Sequence, residues 1–93
     1  MNVRFHATLR QAVGGKHVEV DWHDGLTVWG FVGQMVERYP GLGQQLLDAE
    51  GKLARHVHVM VNGRDAPYLK HGLETTLDPT DAIDVFPAVG GGT

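Results

Sequence analysis

Apolar residues at positions 28, 31, 32, 35, 36 and 39 set the strongest limit on how this chain folds. The spacing i, i+3, i+4, i+7, i+8, i+11 is the stripe of an amphipathic helix. Val28, Phe31, Val32, Met35, Val36 and Tyr39 face one way, Thr27 stands where an N-cap belongs, and Pro40-Gly41 closes the pattern. Gly30 and Gly33 lie off the stripe, so this helix leans on packing rather than on intrinsic propensity. A helix with one apolar face needs a second layer, and the rest of the chain supplies strands. Val3, Phe5 and Ala7 alternate with Arg4, His6 and Thr8; Val18, Val20 and Trp22 alternate with His17, Glu19 and Asp21; Val57, Val59 and Val61 alternate with His56, His58 and Met60.

Turn chemistry joins these segments. Gly14-Gly15 suits a tight hairpin between strands at 2–8 and 16–22. Asn62-Gly63 marks another hairpin, into a short edge strand at 64–69 that tolerates Pro67. Asp78-Pro79-Thr80-Asp81 reads as a type I turn before a last strand at 82–86, with Ile83 and Val85 inward and Phe86 outward. Residues 44–48 suggest one extra helical turn. The expected design is α+β in two layers, with one core between sheet and helix.

Length and composition then exclude several functions. Ninety-three residues make one small domain. Eight Lys and Arg against eleven Asp and Glu give a net charge of −3, which argues against a nucleic-acid or anionic-membrane binder. With no Cys there is no disulfide, zinc thiolate or nucleophilic thiol. No apolar run reaches the roughly 20 residues of a membrane span. Met1-Asn2-Val3-Arg4 does not open a signal peptide, so the expected location is cytoplasmic. No Ser-His-Asp set, Walker loop or paired-carboxylate spacing points to an enzyme. Asp24 and Asp48 read as turn and helix-end residues, and Trp22 and Trp29 as residues of the core or its edge.

Glycine is the compositional outlier, 13 residues, of which Gly90, Gly91 and Gly92 cluster at the end. A segment without Cβ atoms fits extended into a narrow channel with its backbone close to a reacting centre. Residues 1–87 are therefore expected to form the domain and 88–93 a flexible arm.

The run Asp81-Ala82-Ile83-Asp84-Val85-Phe86-Pro87-Ala88-Val89-Gly90-Gly91-Gly92 resembles the C-terminus of the MoaD/ThiS family of β-grasp sulfur carriers. Tyr39-Pro40-Gly41-Leu42, the strand into Asn62-Gly63, and Gly72-Leu73 fit the same pattern, most like its CysO-like and small archaeal modifier-like branch. The resemblance implies a β-grasp (ubiquitin-like) fold, a mixed four- to five-stranded sheet on one main helix. It implies that a ubiquitin-activating-type enzyme, using ATP and Mg, adenylates the carboxylate of Gly92 and that sulfur then replaces AMP. The thiocarboxylate would feed an acceptor synthase in cysteine, molybdopterin, thiamin, tRNA or thiosugar synthesis. The carrier would bind no cofactor and would not itself catalyse. Ala88 stands where the family has a second proline. Thr93 follows the glycine pair and blocks Gly92, so trimming by a JAMM-type metalloprotease is expected. A ubiquitin-like modifier joined to lysines, and a binding-only module, are the alternatives.

The polar sheet face is the expected docking surface, carrying Arg4, His6, Glu19, His58, Met60, Asp84 and Phe86. Phe86, Met60, Arg4 and His58 are the candidate partner contacts, with the two apolar side chains as anchors. His6, His56 and His58 also raise a metal reading, but a site needs further ligands, and solvated positions on a polar face are the plainer account.

Overall fold

The computed structural model describes residues 1–15 and 17–87. In chain order the elements are β1 (Asn2–Phe5), α1 (Leu9–Val13), β2 (His17–Val18), α2 (Val28–Arg38), α3 (Pro40–Leu46), β3 (His58–Val61), β4 (Arg64–Asp65) and β5 (Ala82–Phe86). Two 3₁₀ turns, Ala66–Tyr68 and Gly72–Glu74, lie between β4 and β5. The strands form one sheet in the order β2-β1-β5-β3-β4. β5 is parallel to β1 and antiparallel to β3, and the outer pairs are antiparallel. This is the mixed sheet with one main helix that the resemblance implies. No helix among the described residues is long and apolar enough to cross a membrane.

Alternation sets which side chains enter the core. Val3, Phe5, Val18, Val59, Val61, Ile83 and Val85 are buried from the sheet, and Val28, Phe31, Val32 and Met35 from α2 join the same cluster. Thr27 caps α2 as expected, its Oγ1 accepting from Gly30 N–H at 3.0 Å. Gly30 also acquires a reason. A Cβ there would sit 3.2 Å from Leu26 Cδ1 and 3.3 Å from Thr27 Oγ1, crowding the cap.

Four elements differ from the sequence reading by more than two residues, each for a physical reason. The strand at 2–8 stops at Phe5, and α1 replaces the tight Gly14-Gly15 hairpin. Leu9 needs burial and reaches it, with Ala12 and Val13 packing behind it at helical spacing. Ala7 turns the chain with a positive φ of 55° and is exposed, and Gly14 ends α1 at φ 79°.

The strand at 16–22 keeps only His17–Val18 in the ladder. Beyond it, side chains of α2 take the carbonyls: Arg38 Nη1 donates to Glu19 O at 2.6 Å and Gln34 Nε2 to Asp21 O at 2.9 Å. Val20 is nevertheless buried and Trp22 packs on the core, its Nε1–H donating to Leu77 O at 2.9 Å.

Pro40 ends α2 by holding Tyr39 extended, then starts α3 at its first turn. The second helix thus runs 40–46 rather than 44–48, burying Leu42 and Leu46. The edge strand at 64–69 shortens to two residues, because Pro67 sits in the first turn of a 3₁₀ helix. The Asn62-Gly63 hairpin is as expected, with both φ angles positive.

Gly33 lies in the middle of α2, exposed, with nothing within 4 Å of an added Cβ. Gly33→Ala is therefore expected to raise unfolding free energy by about 0.5–1 kcal/mol. Gly30→Ala, crowded against the cap, should gain less. Urea denaturation of both variants checks this, and a destabilised Gly33→Ala would contradict it.

Candidate functional site

The face of the sheet away from α2 is built by register. Arg4 on β1 lies opposite Asp84 on β5, and Asp84 lies opposite Met60 on β3, which in turn lies opposite Asp65 on β4. One step along the strands, Phe86 on β5 lies opposite His58 on β3. His6 follows β1 on the other side, its backbone N–H donating to Val85 O at 3.1 Å. Two rows of outward side chains result, and the second ends at the point where the chain passes through Pro87 into residues 88–93.

Asp84 is the hub. Its Oδ2 accepts from Arg4 Nη2 at 3.0 Å, and its Oδ1 accepts from His6 Nε2–H at 2.8 Å. A carboxylate can only accept, so His6 Nε2 is the donor in this contact. Arg4 Nε is also 2.8 Å from Oδ1, but it makes no aligned hydrogen bond, so that contact is ionic only. Partial burial works to raise the Asp84 pKa; hydrogen bonds from His6 and Arg4, with the Arg4 charge, outweigh it and hold the carboxyl below its ordinary value. Beside this hub the rings of His6 and Phe86 stack at 4.2 Å between centroids and 9° between planes. On the other flank His58 Nδ1 lies 2.6 Å from Asp65 Oδ2. Phe86 thus stands between two histidines, each tied to a carboxylate, and remains 38% exposed.

Of the sequence-predicted contact residues, Arg4, Met60, His58 and Phe86 come together on this face as expected. Met60 is half-buried. Glu19 is exposed, but it lies past the end of β2, outside the ladder. His6 and Asp84 hold the cluster together, a role that spacing within one strand does not reveal. Two outward pairs at i, i+2 (4 and 6, 84 and 86) were the available signal, but only the β1–β5 register shows that they meet. His6 and His58 serve separate carboxylates, and no group of three or more His, Asp or Glu among the described residues is placed to hold a metal ion. Asp48 organises a turn as read, its Oδ1 accepting from Glu50 N–H and Lys52 N–H. Trp29 is half-buried at the core edge. Gly90, Gly91, Gly92 and Thr93 lie outside the described residues.

The lowered Asp84 pKa gives a signed expectation. Its stabilisation is fully present above the unfolded-state pKa and is lost as pH falls through the lower folded-state value. The parent chain should therefore lose more stability than Asp84→Asn on acidification from about pH 5 downward. Equal losses in urea titrations across that range would contradict the pairing.

Comparison with known proteins places this geometry in a family. The family model described as "ThiS family" matches residues 3–92. Small archaeal modifier protein 3 of Haloferax volcanii is 38% identical over 92 residues, covering 99% of this chain and 98% of that one. Sulfur carrier protein CysO of Mycobacterium tuberculosis is 32% identical over 95 residues, covering 99% and 98%. The crystal structure of the Amycolatopsis orientalis BexX/CysO complex contains a chain that superposes with a TM-score of 0.77 at 34% identity, covering 98% of each chain. The architecture is a β-grasp, and the chain belongs to the ThiS family of small sulfur-carrier and ubiquitin-like modifier proteins.

Proposed function

We propose that this chain is a sulfur carrier whose reactive group is the carboxylate of Gly92. The observation that carries the reading is that the family match runs to Gly92 and stops there, one residue before Thr93. The relative named a sulfur carrier protein supports it. In this reading five residues, 88–92, lead from the body to the reactive carboxylate, and any five residues reach at most roughly 16–18 Å. The body presents Phe86, Met60, Arg4 and His58 to an adenylating enzyme of the ubiquitin-activating type.

Once Gly92 is freed of Thr93, its carboxylate oxygen attacks the α-phosphorus of ATP. The new O–P bond forms as the bond to pyrophosphate breaks, and the partner enzyme supplies ATP and Mg. A sulfur nucleophile then attacks the acyl carbon, the C–O bond to AMP breaks, and a thiocarboxylate remains. The carrier contributes a carboxylate on a narrow arm and a docking face, and acts as co-substrate, with no cofactor of its own. Thr93 holds the Gly92 carboxyl in a peptide bond, so hydrolysis of that bond, for which a JAMM-type metalloprotease is suited, comes first. An acceptor synthase takes the sulfur afterwards, in the cytoplasm where ATP is available.

The relative named a modifier protein favours a second use of the same intermediate. Attack by a lysine amine in place of sulfide would join Gly92 to a protein through an amide.

Intact-mass analysis after incubation with a cell extract, ATP and sulfide separates these outcomes. The carrier reading expects loss of threonine followed by the mass change of one oxygen replaced by sulfur. Oxygen-to-sulfur exchange on the full 93-residue chain would overturn the trimming step. Lysine-linked conjugates without any thiocarboxylate would favour the modifier. Phe86→Asp should weaken affinity for the activating enzyme while preserving the fold; unchanged affinity would count against this face.

A further inference from the structure

His6 and Phe86 form a stacked pair on the outer face of the sheet. Phe86 is the last residue of β5, and its ring lies on the outer face, where no core surrounds it. An aromatic side chain in that position has three staggered χ1 wells open to it unless a neighbour closes two. The ring stacked on Phe86 is that of His6. Its ring lies nearly parallel to that of Phe86, 9° apart at 4.2 Å, and is itself not free to turn. Its Nε2–H donates to Asp84 Oδ1 at 2.8 Å, and its backbone N–H is bonded to Val85 O. Asp84 is fixed in turn by Arg4 on its other oxygen. On the far flank His58, opposite Phe86, is turned toward Asp65. The chain of constraint runs from Arg4 to Asp84 to His6 to the Phe86 ring, and ends two residues before Ala88.

We propose that His6 is a positioning residue for activation: clamped by Asp84, its imidazole is the platform that holds Phe86 in one rotamer, so that the anchor at the root of the arm meets the adenylating enzyme already ordered. This deepens the docking reading and rests on it. A preordered anchor spares the complex the entropy of immobilising a side chain. The effect therefore falls on affinity, and the chemistry at Gly92, carried out by the partner, is untouched.

The test uses the chain ending at Gly92 with its cognate adenylating enzyme and follows ATP–pyrophosphate exchange. His6→Ala is expected to raise KM for the carrier roughly two- to tenfold and leave kcat unchanged. His6→Phe keeps a stacking ring without the Asp84 bond and should recover part of the loss. In a Phe86→Ala background, His6→Ala should have no further effect, because the ring it orders is gone. Three-bond couplings at Phe86 report the cause directly, with one χ1 rotamer in the parent and averaging in His6→Ala. A single rotamer retained in His6→Ala, an additive double variant, or a fall in kcat would each overturn the proposal. If Phe86→Ala weakens binding and His6→Ala does not, the proposal alone fails. If Phe86→Ala itself changes nothing, the docking reading fails and takes the proposal with it.

Discussion

The pairing of β5 on both sides, to β1 in parallel and to β3 in antiparallel register, is the constraint on which the other features rest. Ile83 and Val85 are fully buried from that strand, packed with Phe5, Val59 and the apolar stripe of α2. A strand with both edges paired and its inner face buried cannot slip, because a one-residue shift would turn Ile83 and Val85 to solvent and Asp84 into the core. The same lock fixes Asp84 and Phe86 outward. It also fixes where the chain leaves the sheet. At its start, the strand is anchored by two turns bonded to each other: Asn62 Nδ2 donates to Asp81 Oδ1 at 2.8 Å, and Asn62 Oδ1 accepts from Ala82 N–H at 2.9 Å. The outermost strands, β2 and β4, have only two residues each, which leaves little open edge for unwanted pairing.

Against that rigid strand the polar cluster has a limited energetic part. Arg4 is 40% exposed, and surface ion pairs contribute little to stability. What the Arg4–Asp84–His6 set provides is orientation. A carboxylate that accepts on both oxygens and lies beside a guanidinium leaves its neighbours few alternatives, and the stacked Phe86 inherits that order. The core holds the backbone in place, and the cluster holds the side chains at the end of β5.

Much of this was legible from residue order. The α2 stripe, the Thr27 cap, the Asn62-Gly63 hairpin, and the in–out alternation of β3 and β5 all follow from local chemistry, and local chemistry governs them in the structure. The misread segments are those where distant groups intervene. Residues 19–21 alternate like a strand, but Arg38 and Gln34 of α2 take their carbonyls. The alternation of Val3, Phe5 and Ala7 runs on to Leu9, but Ala7 turns with a positive φ and Leu9 is buried from a short helix instead. At the site, the residue types were visible and their outward faces followed from period two. That His6 touches Phe86 depends on residues 80 positions apart being paired, which single-strand patterns do not carry.

The family match runs to Gly92, and Phe86, stacked on the charge-held His6 ring, stands six residues before it. The central claim joins them: a free Gly92 carboxylate, presented by this face, is what the partner enzyme adenylates. ATP–pyrophosphate exchange with the cognate adenylating enzyme tests it most directly, comparing the chain ending at Gly92 with the chain retaining Thr93. Exchange that depends on the chain ending at Gly92, and is absent with Thr93 in place, is the result the account expects. Equal exchange by both chains, or none by either, would contradict it.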